Sequence, residues 1–469
     1  MYVSKYNLDF KVQNERVLFN PLSGAIDIVD KRVIALLDLL KDGMNTSNYD
    51  GKLITNLKKR GYIFSKKEEE DEKLQELYQA YRDWMALTPR NFVLSTTYSC
   101  NLNCKYCFQS QKRELYKDTP VYMEEDMLDK AFDFMVKINE EILATGRSKI
   151  TIYGGEPLQS DKRHKAIIKL ALERAKEHNF WILVITNGAD LIEYVDMLTE
   201  YKVGEVQVTL DGPREVHNRR RPFVDGRESF DKIVEGVDVA LACGLRINLR
   251  FVGDKDNIDS VPELVEFMIK KGWYNQPTFK THIGRMCCGL TPEYEHNLLS
   301  SNQFIKKLVE LYKTDNQVEK KVPSRLVGLD RLLSTGMPYP PIFDACPGTK
   351  LEYALDAVGK VYPCSLGVGM EEFLVGEYYP EIKFYPDKLN KWQGRNIFSN
   401  SECKECSVSL LCGGGCPRDA LEKKGSPHTS ACRPVKQNLE EGITYYFSKI
   451  KEMSEKGGYT KGTTVSCCT

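Results

Sequence analysis

The chain has 469 residues, 42% of them hydrophobic and 28% charged, with Lys plus Arg and Asp plus Glu both at 66. That length is too great for one ordinary core and implies about two to four domains. The balanced charge gives no pointer to a polyanionic partner, and no apolar run approaches membrane-spanning length.

Met1-Tyr2-Val3-Ser4-Lys5-Tyr6 lacks the apolar core of a secretory signal, so a cytoplasmic location is expected. Alternating apolar residues at Tyr6-Asn7-Leu8-Asp9-Phe10 and at Val17-Leu18-Phe19 predict short strands, with turn chemistry at Asn20-Pro21-Leu22-Ser23-Gly24. Asp30 can cap a helix carrying Val33, Ile34, Leu36, Leu37 and Leu40, and a second helix over Lys52–Arg60 ends at Gly61 before the strand-like Tyr62-Ile63-Phe64. This order is that of a small winged helix. Such a module can read DNA, here through Lys58, Lys59 and Arg60, or hold a peptide added as a strand to a sheet edge. The charge run over 66–83 predicts a solvated linker helix with a Leu74, Leu77, Tyr78, Tyr81 face.

From Asn91 to Ile283 strands and helices alternate. Strands are predicted at Phe92–Thr97, Lys149–Tyr153, Trp181–Thr186, Glu205–Leu210, Arg246–Phe251 and Thr278–Ile283. Helices are predicted at Glu124–Ile142, Lys165–Glu177, Asp190–Glu200, Ser229–Ala242 and Ile258–Lys270. Six βα units suit a partial α/β barrel or an open parallel sheet, and barrels carry their chemistry at the C-terminal strand ends. The motifs fall there: Cys100-x3-Cys104-x2-Cys107 after the first strand, Gly154-Gly155-Glu156-Pro157 after the second, Asn187-Gly188 after the third and Thr209-Leu210-Asp211 after the fourth. Further helices are expected near Asn302–Tyr312 and Arg325–Leu333.

The 15 cysteines are clustered too tightly for a disulfide framework and favour metal ligation in a reducing compartment. Three thiols from one loop are one fewer than a structural zinc or a cubane iron–sulfur cluster takes, so one coordination position stays open. Adjacent glycines let backbone approach a ligand closely, Glu156 offers an acceptor for an ammonium, and Arg221 can pair with a carboxylate bidentately.

The run Tyr98-Ser99-Cys100-Asn101-Leu102-Asn103-Cys104-Lys105-Tyr106-Cys107-Phe108 resembles the signature of the radical S-adenosylmethionine (SAM) enzymes. The resemblance implies that Cys100, Cys104 and Cys107 hold a [4Fe-4S] cluster that binds and reductively cleaves SAM to a 5′-deoxyadenosyl radical. It implies SAM contacts from Tyr106, Gly154, Gly155, Glu156, Asn187, Thr209, Asp211 and Arg221. It names no acid, base or other catalytic residue. The N-terminal module is similar in order to the peptide-recognition elements fused to radical enzymes that modify ribosomally made peptides.

A second group runs Cys346, Cys364, Cys403-x2-Cys406-x5-Cys412-x3-Cys416 and Cys432. Seven cysteines over two four-ligand sites leave one position open, whereas a structural zinc domain uses four or eight. This order resembles the SPASM extension of radical SAM enzymes. By that resemblance Cys346, Cys364 and Cys416 hold a first auxiliary [4Fe-4S] cluster and Cys403, Cys406, Cys412 and Cys432 a second, three clusters in all. No cysteine lies in Pro340–Ala345, so the first auxiliary cluster is either open or completed by Asp344 or Cys287.

The expected architecture is thus an α/β partial (β/α)6 radical SAM barrel between an N-terminal winged-helix-like peptide-recognition module and a C-terminal Cys-rich SPASM domain. Its expected boundaries are 1–85 for the module and linker helix, 86–285 for the barrel, 286–345 for a bridging helical region, 346–450 for the SPASM domain and 451–469 for a flexible tail. The expected function is a peptide maturase that installs a crosslink, foremost a thioether, in a precursor peptide, using an external flavodoxin or ferredoxin and neither nucleic acid nor membrane. The alternatives are a sulfatase-maturing, formylglycine-generating enzyme, a carbon–carbon or carbon–oxygen crosslinking cyclase, and a non-enzymatic, zinc-stabilised DNA-binding regulator. Cys243, Cys287, Cys288, Cys467 and Cys468 carry no assigned role.

Overall fold

In the computed structural model, which describes all residues except 45–48, 111–117, 119–120, 143, 287–291, 325–328, 347, 349 and 456–469, the chain divides into two units. Cys287, Cys288, Cys467 and Cys468 lie outside the described residues. The first unit comprises Met1–Met85, Arg325–Cys346 and Gly394–Thr469; the second comprises Ala86–Ser324 and Pro347–Gln393.

In the first unit β1 (Tyr2–Val3) pairs antiparallel with β5 (Ile63–Phe64), and β2 (Leu8–Val12), β3 (Glu15–Asn20) and β4 (Ala25–Val29) form an antiparallel meander. β4 adds a strand to the two expected. Asp30 caps the helix Lys31–Lys41 by accepting from the Arg32 and Val33 amides, and Asp50 caps Gly51–Lys59 through Lys52. The helical spacing of Val33, Leu36, Leu37 and Leu40 turns one face onto Leu18, Ala25, Leu57, Tyr62 and Ile63, which close the core.

The helix Lys67–Leu87 is more than a solvated linker. Its Tyr78 and Tyr81 rings lie 5.1 Å and 5.4 Å from the ring of Phe343, and Leu74 packs with Leu410 and Ile397. Most charges of the run are exposed, but Glu70 is buried on the inner face with Leu74.

In the second unit β6 (Asn91–Ser95), β7 (Lys149–Tyr153), β8 (Trp181–Thr186), β9 (Glu205–Thr209), β10 (Ile247–Gly253) and β11 (Phe279–Arg285) pair in parallel in chain order, as a partial (β/α)6 barrel requires. Helices Glu125–Glu140, Lys162–Glu177, Val195–Glu200, Phe230–Ala242 and Val261–Lys270 fill the intervals. The sheet continues past β6. β12 (Glu352–Leu355) joins it in parallel, followed by the antiparallel β13 (Lys360–Tyr362), β14 (Gly376–Glu377) and β15 (Lys383–Phe384), for ten strands.

A chain of rings fixes the β6 edge: Phe132 to Phe180 at 6.0 Å, Phe180 to Phe92 at 5.8 Å, Phe92 to Tyr353 at 6.2 Å and Tyr353 to Phe134 at 5.7 Å. Each such pair contributes about 1 kcal/mol beyond its buried area. No helix among the described residues is long and apolar enough to cross a membrane.

Candidate active site

The cysteine loop leaves β6 and is bound on several sides by neighbouring strand ends. Asn103 N–H donates to Pro222 O at 2.8 Å and Val224 N–H to Asn101 O at 3.0 Å, so the loop pairs with the segment after Arg221. Asn187, at the end of β8, donates to Asn101 Oδ1 at 2.7 Å and lies 3.8 Å from Cys100 Sγ. Tyr98, just before the loop, donates to Asp356 at 2.7 Å.

The glycine pair approaches this loop itself. A Cβ on Gly155 would stand 2.1 Å from Ser99 O and 2.6 Å from Tyr98 O, and one on Gly154, at φ +142°, would stand 2.6 Å from Thr97 O. The Gly155 amide donates to Thr97 O and the Glu156 amide to Ser99 O, both at 2.8 Å. The close backbone approach expected toward a ligand is therefore made to Thr97–Ser99.

Glu156 also turns inward. Its carboxylate accepts from Thr186 Oγ1 at 2.6 Å, Leu158 N at 2.8 Å and Asn187 N at 2.5 Å. Expected as the acceptor for an ammonium, it ties the β7 and β8 ends together. Burial raises its pKa to about 7 against those three donors.

Asp211, expected to meet the ligand, is fully buried. It accepts from the Tyr106 hydroxyl and from Val252 N, and Arg220 Nε lies 3.6 Å away. Arg220 is neutralised by Asp254 at 2.9 Å and stacks over the Tyr106 ring at 5.0 Å. Tyr106 accepts from Arg221 Nη1 at 2.5 Å, while Arg221 Nε is buried without a hydrogen-bond partner among the described residues. Burial works against the Arg221 charge, but Cys104, Tyr106 and Asp211 outweigh it and raise its pKa further.

His217 gave no distinct signal beside three arginines, yet it organises this corner. Burial pushes its pKa down to about 3 and keeps it neutral. Nδ1 then accepts from Asp211 N at 3.2 Å and Nε2–H faces Ser229 Oγ at 3.1 Å, whose hydroxyl donates to Arg221 O at 2.6 Å. Thr209, at the end of β9 in register with Arg250, is buried.

Burial pushes the Cys100 thiol up to about 12, with Cys104, Glu156 and Cys107 adding to the effect. Metal binding is what makes such a thiol a thiolate. Three soft thiols on one loop, a nearby carboxylate already supplied with donors and an unpartnered guanidinium edge beside Cys104 fit a three-cysteine cluster carrying an anionic ligand. Among the described residues no three His, Cys, Asp or Glu side chains are placed to hold one metal ion. A cubane spreads its thiolates over separate irons and so sets them further apart.

In the first unit Cys403 is pushed up to about 11, first by burial and then by Cys412, Cys432 and Cys406, which places the four thiols in one neighbourhood. Cys346 and Cys416 belong to the same unit and Cys364 to the second. Asp344 does not stand free for a metal. Its Oδ1 accepts from Arg395 at 3.0 Å and from Cys346 N at 3.4 Å. Arg395 also donates to the carbonyls of Gly413 at 3.2 Å, Gly414 at 2.8 Å, Gly415 at 3.0 Å and Pro427 at 2.6 Å, closing the turn between Cys412 and Cys416.

A three-cysteine loop at the head of a parallel βα sheet defines the class. Residues 94–268 match the family model described as the Radical SAM superfamily, whose members use SAM and a [4Fe-4S] cluster. That match covers the cysteine loop and most of the parallel strands and identifies a radical SAM domain over this part of the chain.

More particularly, the chain is 26% identical over 376 residues to the cysteine-type anaerobic sulfatase-maturating enzyme of Clostridium perfringens, covering 76% of this chain and 92% of that protein. It is 22% identical over 463 residues to the radical SAM cyclopropyl synthase TigE of Paramaledivibacter caminithermalis, covering 90% and 91%. The crystal structure of Streptococcus suis SuiB bound to its precursor peptide SuiA shares the fold, with a TM-score of 0.51 at 16% identity over 93% of this chain and 99% of that one.

Proposed function

We propose that the chain is a radical SAM peptide maturase that forms a crosslink, foremost a thioether from a substrate cysteine, in a ribosomally made precursor peptide. The observation that carries this reading is the cysteine loop docked onto the ends of β7 and β8, with the Arg221 guanidinium edge left for a ligand beside Cys104. The similarity to TigE and SuiB, which covers 90% and 93% of this chain, and the precursor peptide bound to SuiB support a peptide substrate, held at the N-terminal module by strand addition.

In this reading Cys100, Cys104 and Cys107 hold the SAM-binding cluster, Cys346, Cys364 and Cys416 a first auxiliary cluster, and Cys403, Cys406, Cys412 and Cys432 a second. Bound there and reduced by an external flavodoxin or ferredoxin, such a cluster with SAM would supply radical chemistry for hydrogen-atom abstraction from the substrate. Arg221 pairs with the SAM carboxylate through its open edge. Tyr106 and Asp211 hold that guanidinium in place, Asn187 and Thr209 face the ribose, and the buried Glu156 keeps the two strand-end loops in register. With Asp344 already paired, the first auxiliary cluster keeps a position for a substrate thiolate.

A second reading, oxidation of a Cys or Ser to formylglycine, is favoured by the similarity to the sulfatase-maturating enzyme. The two part on one experiment. The anaerobically reconstituted, reduced enzyme is incubated with SAM and a short cysteine-containing peptide encoded beside it, and the product is alkylated and weighed. Loss of two hydrogens together with one alkylatable thiol is the expected result. Loss of two hydrogens with every thiol still alkylatable points to a carbon–carbon or carbon–oxygen crosslink, and a new aldehyde to formylglycine. Cys100→Ala, Cys104→Ala or Cys107→Ala abolishes the reaction and lowers the iron content.

A further inference from the structure

Two polar side chains on the inner face of the parallel sheet take no part in the arrangement above. On β10 the buried Leu249 and Phe251 line one small cavity with Val261, Leu264, Val265 and Met268 of the following helix. Arg250, between them, therefore belongs to the opposite face, and its register places it beside Thr209 on β9 and His282 on β11. Strand register puts Tyr153, at the end of β7, on that same face.

The guanidinium of Arg250 is uncompensated. Its Nε is buried with no hydrogen-bond partner, and it pairs with no carboxylate among the described residues. The contrast with its neighbours is direct: Arg220 is bound by Asp254 and Asp256, and Arg221 by Tyr106 with Asp211 nearby. The Tyr153 hydroxyl likewise has no hydrogen-bond partner among the described residues. Burial pushes its pKa well above the ordinary range, with Cys107 adding to that and Arg250 and Arg221 opposing it, so the phenol lies within electrostatic reach of Cys107 and both arginines. Two residues beyond His282 on β11, opposite Val252, is a glycine. A Cβ on Gly284 would come within 3.6 Å of Arg250 Nη2, so its absence leaves the approach to the guanidinium open.

A half-buried guanidinium with a buried, unpaired Nε and no carboxylate partner, held on the same face as an unused phenol, is arranged for an anion from outside. The donors are planar and paired, which matches a carboxylate. We infer that Arg250 and Tyr153 form a carboxylate subsite for the peptide substrate, Arg250 pairing with an Asp or Glu side chain or the C-terminal carboxylate and Tyr153 donating its hydroxyl to the same group. The assignment rests on the peptide-maturase reading, and it leaves the SAM carboxylate to Arg221. It makes Arg250 a specificity-determining residue that sets which residue of the peptide faces the cysteine loop.

The test is a binding cycle on the anaerobically reconstituted full chain with SAM present. The probe is the fluorescently labelled cysteine-containing peptide encoded beside the enzyme, with versions in which each Asp or Glu is replaced by its amide and one with an amidated C-terminus. Arg250→Gln is expected to raise the peptide Kd by roughly 10- to 100-fold and to leave the SAM Kd within about 2-fold. One amide version of the peptide is expected to show the same loss on the parent enzyme and no further loss on Arg250→Gln. Tyr153→Phe gives a smaller loss, and Arg250→Lys, which keeps the charge, an intermediate one; iron content and SAM binding report that each variant is folded. Unchanged peptide affinity in Arg250→Gln overturns the subsite alone. So does a rise in the SAM Kd, which would give the carboxylate to SAM, and so does additivity of Arg250→Gln with every amide version. A parent enzyme that neither binds nor alters the peptide overturns the maturase reading, and the subsite with it.

Discussion

Tyr98 donates its hydroxyl to Asp356 across 2.7 Å, joining residues 258 positions apart. Tyr362 donates to the same carboxylate at 3.0 Å, and the amides of Val358 and Lys360 complete its shell. Tyr98 stands two residues before Cys100 and Tyr362 two before Cys364, so one carboxylate ties together the stems of two cysteine-bearing segments within the second unit. Burial raises the pKa of Asp356 against all of these donors.

Asp356→Ala is expected to cost about 3 kcal/mol, because it strands two phenols and two amides, and Tyr98→Phe about 1 to 2 kcal/mol. Urea unfolding of the reconstituted protein measures both. Equal midpoints for parent and Asp356→Ala would show that the shared carboxylate does not fasten the two stems.

Gly155→Ala is expected to destabilise by about 2 to 3 kcal/mol, since the atoms it meets, Ser99 O and Tyr98 O, are backbone and move only with the cysteine loop. The same shift should lower iron retention after gel filtration. Gly226, at φ +84°, where a Cβ would meet nothing within 4 Å, serves as the control for strain without a clash.

Glu156 predicts a pH dependence. Its pKa of about 7 in the fold lies above the 4.5 of an exposed glutamate, so the fold favours the neutral acid. The associated stability is complete below pH 4.5 and is lost as the pH rises through about 7, on the order of 3 kcal/mol in all. Glu156→Gln cannot ionise. The stability gap between the parent and this variant, followed by chemical unfolding from pH 5 to pH 8 in the metal-free protein, should shrink as the pH rises; a gap independent of pH would count against the assignment.

Arg395→Met is expected to cost about 3 kcal/mol or more, because it removes the cation paired with the buried Asp344 carboxylate and one donor from each of three glycine carbonyls. A fall of roughly 5–10 °C in the thermal midpoint would register this. Arg395→Lys, which keeps the charge but not the fork, should fall between; a midpoint within 1 °C of the parent for Arg395→Met would show the clamp to be idle.

Much of the barrel is legible in the sequence because its strands are runs of Val, Ile and Thr bounded by capped helices. Lys149–Tyr153 and Trp181–Thr186 are found at their expected limits for that reason. β12 to β15 are not legible, since segments as short as Gly376–Glu377 carry no alternation and become strands only by pairing onto the β6 edge. The site divides the same way. Spacing announces Cys100, Cys104 and Cys107, but nothing in Gly-Gly-Glu-Pro tells whether its glycines approach a ligand or a neighbouring loop, or that Glu156 faces inward. Arg395 stands alone between Gly394 and Asn396, and only the run Gly413-Gly414-Gly415 hints that something must come close to that turn.

That turn has a bearing on how the protein is made. Arg395 fixes it through Asp344, Pro427 and the three glycine carbonyls, all protein atoms, so the stretch bearing Cys412 and Cys416 is shaped by contacts that do not require iron. A chain short of iron would then keep this turn formed and ready for loading when supply returns.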